Sequence, residues 1–354
     1  MQFAKATLAP YLSHKLKTPC EILEVEKFGR GSSRETWFIT YRRGEQPREH
    51  LVFRRDPLAG SVDYSPLEQE YFLYERLGRS DVPVASALWW EADPAWTDRP
   101  FYVRRHIAGS WDVPHFKDPA PEYDELRIRI SKEHMRALAR VHAVNWKALE
   151  LDSVLCTAPD TSSCAAHYVD SVVALYESQR IEPIPLMLEA AEWLKARAPV
   201  ASRICLCKGT NGLGEEIFAD ETLVAMSDWE EAHIGDPAAD FAFMQEFAPT
   251  VIRDGETVWS LAHALDYYRS VGGAPVTEAA VQFYQIVRAL RMLAFSHRAG
   301  AAVHRSAQAP IRQAWTGTEV CHFAKHILAF TMGLALPPAA SYFAELNTSV
   351  ENAS

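Results

Sequence analysis

Residues Cys205 to Asp240 read CLCKGTNGLGEEIFADETLVAMSDWEEAHIGDPAAD, and the fold turns on how this stretch is understood. A short apolar strand leads into a glycine-rich loop with charge at both ends, and a strand pair around a turn follows. Leu223 to Met226 form an apolar run that stops at Ser227-Asp228-Trp229. Asp228 is therefore expected to emerge at a strand's end, a common position for a ligand-facing carboxylate. Gly235-Asp236-Pro237 reads as a helix start, with Asp236 as N-cap and Pro237 at the first helical position. Asp240 is expected on the same helical face as Asp236.

With 354 residues, 48% of them hydrophobic, the chain can bury a large core and divides into two domains or one large two-lobed unit. Its six cysteines include no CxxC pair and no histidine at zinc-finger spacing, so structural thiols are expected and a metal site on them is not. The net charge is −10. Residues 1–109 hold 16 Lys+Arg against 15 Asp+Glu, which leaves 20 against 31 for the rest, a balance that speaks against nucleic acid as a partner. Met1 to Pro10 lacks the pattern of a secretory signal, and the late apolar run Ile327 to Leu336 is too short to span a bilayer. A cytoplasmic protein that does not enter membranes is expected.

Taken in order, strands are expected over ILEVEKF from Ile22, over RETWFITYRR from Arg34 and over HLVFRR from His50, with GRGSS between the first two. A glycine turn with Ser32 and Ser33 leaves backbone amides open to a phosphate. Arg54 and Arg55 must point to opposite faces of their strand, Arg54 into a cleft and Arg55 to solvent. A helix carries Leu67, Glu70, Tyr71, Tyr74 and Leu77, and Arg54 is the expected partner of Glu70. Two further strands contain Ala87 to Trp89 and Phe101 to Val103. Helices are expected over 133–146, 165–177, 185–198, 258–270, 278–304 and 319–332, with His142 as a hydrogen-bonded core histidine.

Several of these segments resemble the aminoglycoside phosphotransferase and choline kinase-like enzymes, in particular a bacterial branch related to acyl-CoA-linked kinases. DWEEAHIGDPAADFAF resembles the family's DWE, GDP and AD segment, and LARVHAVNW resembles its LARLHAVDW. The resemblance implies an α+β, two-lobed protein-kinase-like fold, with a β-rich N-lobe over 1–108 and a helical C-lobe over 109–354. It also implies that a small molecule is phosphorylated with ATP and Mg2+. Gly31, Ser32, Ser33, Arg54 and Glu70 then fall at the nucleotide site, and Asp228 at the metal. The helix containing Tyr284 to Leu293 lies where family members build the acceptor pocket.

The catalytic loop departs from the pattern. Where the family has HGD and a later Asn, this chain has Lys208, Gly209, Thr210 and Glu215. Thr210 cannot accept a proton as the catalytic Asp does, whereas Glu215 retains the hard oxygen that magnesium prefers. Three functions follow. The first is an ATP-dependent phosphotransferase acting on a hydroxyl of a small, acyl or otherwise hydrophobic metabolite, with Lys208 neutralising the transferred phosphoryl and Glu215 or Glu216 holding the metal with Asp228. The second is a pseudokinase that binds ligand without turnover. The third is another enzyme class, a lyase, hydratase or different transferase, using Lys208 as acid or base, Glu215 and Glu216 as carboxylates, and the Gly209–Gly214 backbone as an anion nest.

Overall fold

The structure is a computed structural model and describes residues 3–29, 33–62, 65–212, 215–242 and 247–335. Gly31 and Ser32 of the expected phosphate turn, and Gly214 of the expected nest, lie outside the described residues.

The first part of the chain builds one antiparallel sheet from β1 (Cys20–Lys27), β2 (Glu35–Arg43), β3 (Glu49–Arg55), β4 (Ala87–Glu91) and β5 (Phe101–Arg105), in the order β1-β2-β3-β5-β4. Alternation along β3 sends Leu51 and Phe53 to one face and Val52 and Arg54 to the other. The outer face is covered by α1 (Lys5–Leu16), whose Leu8, Tyr11 and Leu12 recur at helical spacing and pack with Phe3, Trp37, Phe53 and Phe101. Helix α1 is not among the expected elements, and Pro10, a residue that argues against a helix interior, lies inside it.

This helix overturns the expectation for Arg55. Instead of reaching solvent, Arg55 is 2% exposed, lies over the Phe3 ring at 4.3 Å, and donates to Glu35 at 2.7 Å and Asp98 at 3.3 Å. Arg55 shares the covered face, so its charge had to be neutralised by carboxylates from neighbouring segments.

The inner face meets α2 (Leu67–Leu77), and beyond β5 the chain becomes mainly helical: α3 (Asp124–Ala143), α4 (Cys164–Ser178), α5 (Pro185–Lys195), α6 (Leu261–Ser270), α7 (Glu278–Arg305), α8 (Ile311–Trp315) and α9 (Cys321–Thr331). Helix α3 begins well before residue 133 and stops short of Trp146, and a stretch of π-helix over Thr316–Val320 precedes α9. Two-stranded ladders pair β6 (Cys205–Cys207) with β9 (His233–Gly235) and β7 (Glu216–Ala219) with β8 (Thr222–Met226). A small hairpin joins β10 (Val251–Arg253) to β11 (Glu256–Trp259).

Asp236 accepts from the Ala238 amide at 2.9 Å as N-cap, but the turn it caps, Pro237–Phe241, is a 3-10 helix rather than the expected α-helix. With three residues per turn, Asp240 is carried away from the Asp236 side, toward β6. All six cysteines are free thiols. No helix among the described residues is long and apolar enough to cross a membrane.

Candidate functional site

Between the sheet and the β7–β8 hairpin lies a cleft of about 390 Å³. Its walls include Phe28, Phe38 and Val52 from the sheet, Arg104 to Ile107 from the crossover, and Glu215, Ile217, Asp228 and Glu230 from below. Apolar walls with a few converging charged groups are the usual form of a small-molecule site.

Arg54 is the hub of the charged end. Its guanidinium lies 2.9 Å from Glu70 of α2, 2.5 Å from Glu230 and 3.5 Å from Asp228. The structure thus brings the expected Arg54–Glu70 pair together. Glu70 is 1% exposed and also receives the Tyr102 hydroxyl at 2.8 Å. Burial opposes its ionisation, but Arg54 and Arg34 outweigh that and hold its carboxyl below the usual range. Arg34, which the sequence reading passed over, is 3% exposed and reaches Asp56 at 2.9 Å, Glu70 at 2.8 Å and Glu230 at 3.5 Å. Ser33 hydrogen-bonds Glu230.

Glu230 is the other residue missed, although it stands two places beyond Asp228. The adjacent acids diverge: Glu230 faces the arginines of the sheet, while Glu231 pairs with Arg288 at 3.5 Å and Arg291 at 3.0 Å on α7. No local pattern singled out Glu230, because the arginines it pairs with are brought to it only by the fold.

Asp228 follows β8 in a left-handed conformation, φ 61°, and its side chain is 31% exposed to the cleft. Its Oδ1 has no hydrogen-bond partner among the described residues. Burial raises its pKa against the pull of Arg54, and Glu215 adds to the rise. Glu215 is tied to the same wall, since its carbonyl accepts from the Ser227 amide at 2.8 Å and from the Ser227 hydroxyl. Its carboxylate accepts from the Gly212 amide at 2.5 Å. Burial pushes Glu215 up to about 7, with Lys208 opposing and Glu216 reinforcing the shift. Two hard carboxylates with raised proton affinity on one wall suit a divalent cation that would displace the protons.

Behind the wall, Asp240 organises the loop that follows β6. One oxygen accepts from the Lys208 amide at 2.8 Å and the His142 ring at 2.9 Å, and the other from the Gly209 amide at 2.6 Å and Asn211 Nδ2 at 3.1 Å. Lys208 itself turns inward. It is fully buried, its Nζ lies 3.3 Å from Glu216 and donates to the Thr210 carbonyl, and it does not line the cleft. Burial disfavours its charge, yet Glu216 and Glu215 hold its pKa above the usual value. Thr210 is 8% exposed and its hydroxyl has no hydrogen-bond partner among the described residues.

Among the described residues, His142, Cys205 and Cys207 form a group of possible metal ligands whose atoms lie within 4.8 Å of one another. Both ring nitrogens of His142 are already engaged, by Asp240 and by Tyr268 at 2.7 Å. This is the hydrogen-bonded core histidine that the sequence suggested.

The model of the phosphotransferase enzyme family matches residues 24–274. The chain belongs to that family. Mouse acyl-CoA dehydrogenase family member 10 is 28% identical over 253 residues, 69% of this chain but only 22% of that protein. Acyl-CoA dehydrogenase family member 11 of chicken is 24% identical over 70% of this chain and 31% of its own length. The chain therefore spans less than a third of these curated relatives. Among solved phosphotransferase structures, a candidate aminoglycoside phosphotransferase from Ralstonia eutropha superposes with TM-score 0.64 at 21% identity, covering 92% of this chain and 97% of that one. Aminoglycoside phosphotransferase APH(4)-Ia, captured with AMP-PNP and hygromycin B, gives TM-score 0.56 at 12% identity over 90% and 97%. The fold is the two-lobed, kinase-like one of these enzymes.

Proposed function

We propose that this chain transfers the γ-phosphoryl group of a purine nucleoside triphosphate, as its Mg2+ complex, to a hydroxyl of a small metabolite. The observation that carries this reading is Arg54, which gathers Glu70, Glu230 and Asp228 at one end of a ligand-sized cleft. A cation fixed by a helix glutamate beside a carboxylate that lines the cleft is what a nucleotide's phosphates and their metal require. Asp228 and Glu215 would hold the magnesium, which when bound neutralises charge on the phosphates. Arg54 would face the same oxygens, with Ser33 beside them on the cleft wall.

Thr210 stands where a general base is expected and cannot serve as one. Phosphoryl transfer depends mainly on positioning and electrostatic stabilisation, so a slow but real reaction is compatible with that replacement. Lys208 is held by Glu216, so it acts through the shape of the loop rather than on the phosphoryl group. A hydrophobic or acyl acceptor is favoured by similarity to the acyl-CoA-linked branch.

Thr210 together with the inward Lys208 also favours a second reading, a pseudokinase that binds nucleotide without turning it over. Calorimetric titration with nucleotide, with and without Mg2+, followed by an acceptor screen, separates the two. Under the first reading binding depends on Mg2+, phosphorylated product accumulates, and Asp228→Ala lowers turnover by about 100-fold or more while melting stays near wild type. Binding without product under every acceptor would leave the pseudokinase, and turnover that survived Asp228→Ala would remove the proposed mechanism.

A further inference from the structure

Arg104 is a buried cation that the charged end of the cleft does not use. It lies one residue before the end of β5, directly opposite Val52 of β3, while Arg54 lies opposite Tyr102. Directly paired residues share a sheet face, so Arg104 projects from the face that carries Val52 and Arg54, and it lines the cleft.

Arg104 is 9% exposed, with its guanidinium over the Tyr74 ring at 5.0 Å. Its Nε has no hydrogen-bond partner among the described residues. The Tyr74 ring belongs to α2, so the guanidinium lies between α2 and the cleft it lines. Arg34 and Arg54, by contrast, are each saturated by carboxylates.

A guanidinium offers five N–H donors and no acceptor, and donors buried without partners are costly. The ligand that fits beside Arg104 must present acceptors. Guanine and hypoxanthine offer O6 and N7 side by side, which a guanidinium engages bidentately, whereas adenine places a 6-amino donor beside N7.

We propose that Arg104 selects the nucleobase, and that the cleft prefers a 6-oxopurine triphosphate such as GTP over ATP. This rests on the phosphotransferase reading above and deepens it. Tyr74 would hold the guanidinium plane from behind, as aromatic rings commonly do for arginine.

The test measures Mg2+-dependent binding of GTP, ITP, ATP and inorganic tripolyphosphate to the full chain, as wild type, Arg104→Met and Arg104→Lys. ITP carries O6 without the 2-amino group and so isolates the contact. The expected result is GTP and ITP bound about 5- to 150-fold more tightly than ATP, with the ratio falling toward one in both variants and tripolyphosphate unaffected. Arg104→Lys keeps the buried cation without the fork, and circular dichroism with melting confirms that each variant is folded.

ATP bound as tightly as GTP by the wild type would overturn the proposal while leaving the phosphotransferase reading intact. Equal weakening of GTP, ATP and tripolyphosphate by Arg104→Met would also overturn it, by making Arg104 a phosphate contact. Failure of every nucleotide to bind would overturn both readings.

Discussion

His142 and Asp240 show how a charge far from the cleft surface sets the shape of the loop. Burial disfavours the imidazolium, but Cys205 and the hydrogen-bonded Asp240 raise the His142 pKa above its usual value. Asp240 is shifted the opposite way, because burial is outweighed by His142 and the two loop amides. A raised histidine contributes stability that is complete below its unfolded pKa of about 6.5 and is lost as pH climbs through its folded value. His142→Gln keeps hydrogen-bonding capacity but cannot be charged. Wild type should therefore exceed this variant by about 1.5–3 kcal/mol below pH ~6, and the gap should narrow as pH rises. Urea melts at several pH values measure it, and a gap independent of pH would mean the pair is neutral. Sequence patterns gave the facing of single residues but not their depth. Arg54, Glu70 and Asp228 were legible because strand alternation and helix spacing assign a face. Lys208 and Arg34 were not, because their partners Glu216 and Glu230 are fixed only by the tertiary fold. Ser33 and Glu230, for example, are 197 positions apart.

The loop after β6 is an element whose backbone leaves no room for a larger residue. Gly209 has φ +87°, and a Cβ there would lie 2.5 Å from the Glu231 carbonyl oxygen. Only glycine holds this conformation at low cost while letting Asp240 take the Gly209 amide at 2.6 Å. Gly209→Ala should cost roughly 1–3 kcal/mol and move Thr210 and Glu215 together, so activity should fall more steeply than stability. Chemical denaturation beside a phosphotransfer assay reads both, and an alanine variant as stable and active as wild type would remove the constraint. At this scale the sequence was informative where one pattern dominated. The five strands and most helices lie close to where alternation and spacing put them. It misled where local chemistry was ambiguous: Pro10 lies inside α1, and the capped Asp236-Pro237 start gave a 3-10 helix, which places Asp240 on the loop.

For the whole molecule, the question is whether the two lobes melt apart. The sheet's outer face has its own core, but the inner face does not. Leu67, Leu73, Tyr74, Leu77, Val82 and Tyr102 belong to the same buried cluster as Ile130, Met135, Leu138, Leu206, Met226 and Trp229, so α2 and β5 are completed only by α3 and the β-ladders beneath them. Polar ties cross at the same level. Arg54 and Arg34 hold Glu230, and the Met226 amide donates to the Pro83 carbonyl at 2.7 Å. Separating the lobes would expose this cluster and leave buried charges unpaired, which costs more than opening a polar domain interface. Calorimetry should therefore show a single transition with calorimetric and van't Hoff enthalpies in agreement. Saturating Mg-nucleotide at about 100 times its Kd should shift that one peak upward by the equivalent of roughly 2.7 kcal/mol. Two resolved transitions, with only the earlier one moved by nucleotide, would mean that the sheet folds without the helical part and that the cleft is assembled by docking of two independent units.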